Sequence, residues 1–176
     1  MTDHFTLPAG AKPDPDYPGW FTWGELPAES FAAQTGRIVF KPTEPGRAVV
    51  RMFPEDRHMN LGGSIHGGAV MSFIDMALFS GGFCAGMARG HYVTLDLATR
   101  FIARGKSGVP LDAHVRLLKQ TPGGLVFIDG HCEQEGAICY SFSGSLKRIK
   151  SRSETGDAAP TDAAKFDAAN RDDRRS

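Results

Sequence analysis

Apolar positions along this 176-residue chain follow two different periods, and the switch between them outlines the fold. Residues 69–80 (AVMSFIDMALFS) are apolar on almost every side, which predicts a helix buried inside the protein. From residue 91 the pattern alternates instead. Residues 91–103 set Val93, Leu95, Leu97 and Phe101 on one face. Residues 109–119 oppose Leu111, Ala113, Val115 and Leu117 to Asp112, His114 and Arg116. Residues 124–134 form a third run, and 137–149 oppose Ile138, Tyr140, Phe142 and Leu146 to serines. Period-two runs joined by short Gly-containing connections predict antiparallel neighbours. Upstream, 36–41 and 47–53 read as strands split by the turn Pro42-Thr-Glu-Pro45-Gly46. Residues 27–34 read as a short helix with Pro27 at its start and Gly36 past its end. One buried helix with five or six antiparallel strands is an α+β layered fold.

The flanks differ in character. Residues 1–24 read as an N-terminal arm, Pro-rich and loosely ordered, and residues 25–149 as the folded domain. From residue 150 to 176 the chain turns to mixed charge with few large apolar residues, which predicts a disordered tail. Lys plus Arg equals Asp plus Glu, for zero net charge, so nothing points to nucleic acid or an acidic membrane surface. The apolar stretch 67–86 is interrupted by glycines, serines and Asp75, which argues against a membrane span. Cys84, Cys132 and Cys139 are too few and scattered for a disulfide scaffold or zinc site. A hairpin turning at Glu135-Gly136 would allow Cys132 and Cys139 to face each other, but two reduced thiols in the sheet are the expected reading. With no signal-peptide pattern at the start, a cytoplasmic location is expected.

The chemistry concentrates in Asn60-Leu-Gly-Gly-Ser-Ile-His66-Gly67-Gly68 and the helix that follows. An acid on a buried helix is costly unless it is paired, solvated or used, so Asp75 is the leading candidate for a general base or nucleophile. The plainer alternative is an Asp bonded to Ser72, one turn earlier. Gly67 and Gly68 leave backbone N–H groups unhindered at the positive end of the helix, suited to an oxyanion. His66 either orients a carbonyl or caps the helix. Asp75 lies eight residues beyond Gly67, ~12 Å along an α-helix, whereas a base acts within about 3 Å. One chain therefore cannot bring the two together. A second copy, running antiparallel across a two-fold axis, supplies Asp75 to its partner's glycines.

The pattern Asn60-x-x-Gly63-x-x-His66-Gly67-Gly68 with Asp75 nine residues after the histidine resembles the PaaI-type hotdog acyl-CoA thioesterases. Asp75-Met-Ala77, Val93-Thr94-Leu95, Gly108 and Glu135-Gly136 extend the likeness over about residues 47–149. The resemblance implies a long curved antiparallel sheet wrapped around a central helix. It further implies hydrolysis of acyl-CoA at a site shared between subunits of a homodimer or a dimer of dimers. Asn60 would donate to a carbonyl or fix a water, and Thr94 would hold the attacking water. Arg100, Arg104 and Lys106 would grip coenzyme A phosphates. Trp20, Trp23 and Phe31 would cap an acyl pocket lined by Met76, Phe79 and Phe83, although core packing accounts for all six as well. Two stretches depart from the family pattern. Phe101-Ile-Ala-Arg-Gly-Lys106 replaces a proline-containing stretch, and Gln120-Thr-Pro-Gly123 replaces a Gly-Arg turn.

No nucleophile elbow, metalloprotease pair, dinucleotide fingerprint or phosphate loop is present, so no cofactor is expected. The six histidines show no ligand spacing, so no metal is expected. Two readings compete with the hydrolase. One is a hotdog module that binds acyl-CoA without turnover, and Asp75 present with the helix-start glycines argues against it. A hydratase needs an Asp/His pair that the nine-residue separation of His66 and Asp75 does not supply.

Overall fold

The computed structural model describes residues 7–24 and 26–149. Its centre is one antiparallel eight-stranded sheet: β1 (Lys12–Pro13), β2 (Phe21–Thr22), β3 (Ile38–Pro42), β4 (Arg47–Met52), β5 (His91–Phe101), β6 (Leu111–Gln120), β7 (Leu125–Gln134) and β8 (Ala137–Ile149). The spatial order is β1-β2-β3-β4-β6-β7-β8-β5, so β5 forms an edge. The helix α2 (Gly67–Cys84) packs on β3, β4 and β6 and also reaches β5 at the far edge. A flat sheet cannot meet one helix at both places, so this one curls around it. This is the expected α+β hotdog arrangement. By length and composition α2 would suffice to cross a membrane, but here it is the core helix, half buried within the sheet.

The sheet approaches α2 closely because small residues line the contact. Val70, Phe73, Ile74, Ala77, Leu78, Gly81 and Gly82 face the strands and are buried. A methyl group added at Gly81 would stand 2.6 Å from a Val115 methyl, and one at Gly144 of β8 would stand 2.6 Å from Leu78. Only glycine fits at such separations. The opposite side of α2 is different. Ser72, Asp75, Met76, Phe79 and Phe83 are half-buried, so the helix, expected to be enclosed all round, has one open face within a single chain.

The β5 alternation breaks at a position that no residue type marks. Thr94 pairs with Leu146 and Asp96 with Ser145, leaving Leu95 as an extra residue. Such a bulge reverses the facing of everything beyond it. Thr94, Leu97 and Phe101 therefore turn toward α2, while Val93 and Leu95, expected to share their face, are 41% and 54% exposed. A second irregularity, after Cys132, sets Cys132 opposite Tyr140 and not opposite Cys139. All three cysteines are free and buried, and burial pushes the Cys84 thiol up to about 12. Such thiols are unreactive at neutral pH.

The segment read as a loosely ordered arm is folded from residue 7. β1 and β2 extend the sheet, and Trp20 packs with Val39 and Val49 on the outer face, away from α2. The buried Asp14 carboxylate anchors the arm. Its two oxygens accept from Arg37 Nη2 (2.7 and 2.9 Å), and Oδ1 also accepts from the amides of Asp16 and Tyr17. Helix α1 (Phe31–Gln34) starts later than expected, because Ser30 accepts from the Ala33 amide and caps it there. The expected tail, 150–176, lies outside the described residues.

Asp14 links the arm to pH. Burial works against its charge, but the Arg37 guanidinium and the two amides outweigh this and hold it below its ordinary 3.8. A lowered carboxylate pKa adds stability that is complete above the unfolded value and fades as pH falls through the folded one. Urea midpoints of the native chain should therefore fall as pH drops from about 4 toward 2. The Asp14→Asn variant should start lower and show a shallower acid slope; an identical slope would remove Asp14 as the cause.

Candidate active site

The start of α2 is fixed by its neighbours. The Ile65 amide donates to the Gly105 carbonyl (3.0 Å) and the His66 amide to the His58 carbonyl (2.8 Å). Gly105 is itself pinned, its amide donating to the Tyr140 hydroxyl (3.1 Å) while a side chain there would strike Ile65. Buried Gln134 completes the clamp, accepting from the Lys106 amide and donating to the Lys106 and Val109 carbonyls. Sequence reasoning passed over Tyr140 and Gln134 as positioning residues. Their signal was a polar group on an otherwise apolar strand face, which needs a partner when buried.

His66 is the N-cap of α2, its Nδ1 accepting from the Gly68 amide at 2.9 Å. That commits one of the two expected oxyanion donors. The Gly67 amide has no acceptor among the described residues, and the Phe101 ring lies 3.5 Å from where a side chain at Gly67 would begin. Gly67 is thus an open donor at the helix start, as is the Ala69 amide two residues on, which likewise has no acceptor among the described residues. Asn60 serves its own loop: Oδ1 accepts from the amides of Gly62 (2.9 Å) and Ser64 (3.2 Å), and Nδ2 donates to Ser64 Oγ (2.9 Å). This is the turn-forming use of asparagine.

Asp75 and Thr94, nineteen residues apart, come together. Thr94 Oγ1 donates to Asp75 Oδ1 at 2.7 Å, while Oδ2 has no hydrogen-bond partner among the described residues. Ser72, the alternative partner, donates instead to the Gly68 carbonyl at 2.8 Å. The β5 bulge begins just after Thr94 and increases the local twist beside this contact. The helix runs unbroken from Gly67 through Asp75, so the two stay ~12 Å apart along one chain.

The basic residues divide. Lys106 Nζ pairs with Glu135 at 3.1 Å, whereas Arg100 and Arg104 are exposed with no ion-pair partner among the described residues. Because Gly105 abuts Ile65, Arg104 stands near the helix start. Of the residues expected around an acyl pocket, Trp23 and Met76 line one cleft of about 550 Å³ with Leu26, Ala33 and Ile38. Trp20 is on the opposite sheet face and Phe31 is 75% exposed, so neither caps that cleft. A second cleft of about 670 Å³ lies at the 120–126 turn beside Tyr92 and Arg148. Neither cleft is lined by Asp75 or Gly67.

Residues 62–127 match the sequence model of the Thioesterase superfamily. No protein of curated function matches the chain significantly. Among solved structures, the Escherichia coli PaaI protein from the phenylacetic acid degradation operon is 23% identical with a TM-score of 0.58, covering 69% of this chain and 86% of its own. A Streptococcus pneumoniae hypothetical thioesterase, solved with coenzyme A, is 16% identical with a TM-score of 0.57, covering 65% and 90%. Thioesterase superfamily member 2 from Mus musculus is 19% identical with a TM-score of 0.53, covering 64% and 82%. Such likeness establishes the fold. With the superfamily match, it bears out the resemblance to PaaI-type hotdog thioesterases.

The His66 cap is testable by itself. Replacing His66 with Ala leaves the Gly68 amide without its acceptor and should lower stability by about 0.5–2 kcal/mol in urea unfolding. An unchanged midpoint would mean that the cap contributes nothing.

Proposed function

We propose that this protein hydrolyses acyl-CoA thioesters to the free acid and coenzyme A, at a site completed by a second copy of the chain. The observation that carries this reading is the Asp75–Thr94 hydrogen bond, which orients one carboxylate oxygen and leaves the other open on the half-buried face of α2. The Gly67 amide would polarise the thioester carbonyl. Asp75 of the partner would take a proton from water as the water oxygen attacks the carbonyl carbon. The carbon–sulfur bond then breaks, and coenzyme A leaves as a thiolate that regains a proton. Arg100 and Arg104 are the candidates for its phosphates. Lys106 is the weaker third, being already tied to Glu135.

Two features support pairing of copies. β5 is an eleven-residue sheet edge with Val93 and Leu95 exposed, and such an edge tends to pair. The half-open face of α2 holds Met76 and Phe79, which need further cover. Antiparallel joining of two β5 edges would set two such helices side by side. The buried, free thiols suit a cytoplasmic setting. The second reading, acyl-CoA binding without turnover, draws on the Gly68 amide being held by His66, which removes one of the two expected oxyanion donors.

A thiol-release assay over aromatic, short and medium acyl-CoAs separates the two. Asp75→Asn should lose at least about a hundredfold in kcat while still binding a substrate analogue; near-native turnover would end the role of Asp75. Sharing of the site has its own test. Asp75→Asn and Gly67→Val, each inactive alone, should regain about a quarter of native activity after subunit mixing, since one site per heterodimer is intact. No recovery in verified heterodimers would place the whole site within one chain.

A further inference from the structure

The outer sheet face carries a cluster that the proposed chemistry does not use. His114 on β6 and His131 on β7 are direct partners across the strand pair. Their rings stack with centroids 4.8 Å apart and planes within 15°. Glu133, two residues along β7 and so on the same face, places Oε1 3.1 Å from His114 Nε2 and Oε2 3.9 Å from His131 Nε2. One ligand atom from each of the three lies within 4.8 Å of the others. We propose that His114, His131 and Glu133 bind a divalent transition-metal ion of the zinc class.

The donor set decides the class of ion. Two imidazoles and one carboxylate match zinc, cobalt or nickel, whereas magnesium and calcium take oxygen ligands. Around zinc, three ligands at 2.0–2.2 Å stand about 3–4 Å from one another. The cluster reaches that spacing by side-chain rotation, with the two strands holding the Cα positions. The group is half-exposed, so a fourth position stays open to water or a further ligand.

A second observation points to a ligand. His114 Nε2 is buried and has no hydrogen-bond partner among the described residues. Its 3.1 Å approach to Glu133 is therefore an electrostatic contact off the nitrogen's bonding direction. A buried polar atom left unbonded costs about 1–3 kcal/mol, and a metal ion would satisfy it. The neighbouring acids are already committed. Asp112 takes the Arg51 fork at 2.6 and 2.7 Å, and Asp129 takes the Arg116 fork at 2.8 and 2.7 Å. Glu133 has no arginine or lysine, and its ion-pair contacts among the described residues are the two histidines. Linear spacing concealed the group, because seventeen residues separate the histidines and only strand register joins them.

The test titrates the full-length, metal-stripped chain with Co²⁺ and then Zn²⁺. One equivalent of Co²⁺ should give the visible absorption of a nitrogen- and oxygen-ligated ion, displaced by Zn²⁺. His114→Ala, His131→Ala and Glu133→Gln should each weaken binding at least about tenfold, and His91→Ala, on the distant edge strand, should not. Zn²⁺ should also raise the unfolding temperature of the native chain but not that of His131→Ala. Circular dichroism confirms that each variant is folded. Absence of saturable binding by the native chain, or binding unchanged in the His114→Ala/His131→Ala double variant, overturns the proposal. Because the readout is metal and not thiol, neither result depends on the thioesterase reading.

Discussion

The structure depends on the close contact of one glycine-bearing helix with a curled sheet. Gly81 lets α2 sit directly on Val115, and Gly144 lets Leu78 sit on β8. With side chains at these positions the helix would have to stand off, and it could no longer touch β4 and the distant β5 together. That double contact brings Thr94 to Asp75, because Thr94 belongs to the far edge strand. It also leaves one helix face uncovered. Core packing and the composition of the candidate site thus follow from the same steric condition.

The fold was largely legible because it is written in periodicity. An apolar run without polar sides names a core helix, and alternation names strands, so α2 and β3 to β8 were readable. Single-residue irregularities were not. Leu95 continues the apolar alternation of Val93 and Leu97, so nothing marks it as the residue the ladder skips. The same holds where Cys139 slips past Cys132. The arm eluded the reading for another reason. Its order comes from Asp14 meeting Arg37, twenty-three residues away, and a tertiary ion pair leaves no periodic trace.

The candidate site was legible as residue types but less so as roles. Asp75, Thr94 and the helix-start glycines were identifiable as a set, yet which groups are already engaged depends on local geometry. A histidine before two glycines suits either a cap or a substrate contact; here the backbone turns its Nδ1 onto the Gly68 amide. An asparagine in a Gly-rich loop suits either a turn or a donor, and Asn60 makes three bonds within its own loop. In both residues the local hydrogen bond is satisfied without any partner molecule, which takes Gly68 out of the open donors at the helix start and leaves the Gly67 and Ala69 amides.

The partners of the acidic side chains sort structure from chemistry more sharply than burial does. Asp14, Asp112 and Asp129 are each held by an arginine, Asp112 and Asp129 through the Nε/Nη2 fork and Asp14 through Nη2 alone, which neutralises the carboxylate and fills both oxygens. Asp75 receives a threonine hydroxyl on one oxygen and nothing on the other among the described residues. A hydroxyl fixes direction without cancelling charge, and it leaves the second oxygen unoccupied. Asp96 is also bonded by a hydroxyl, that of Ser145, but it is exposed and belongs to the outer face. Glu133 differs again, facing two imidazoles that can themselves be ligands. An arginine-paired carboxylate holds the fold together, whereas one held by a hydroxyl at the open side of a core helix is kept available. Asp75 meets that condition on the face where a second chain would bring its glycines.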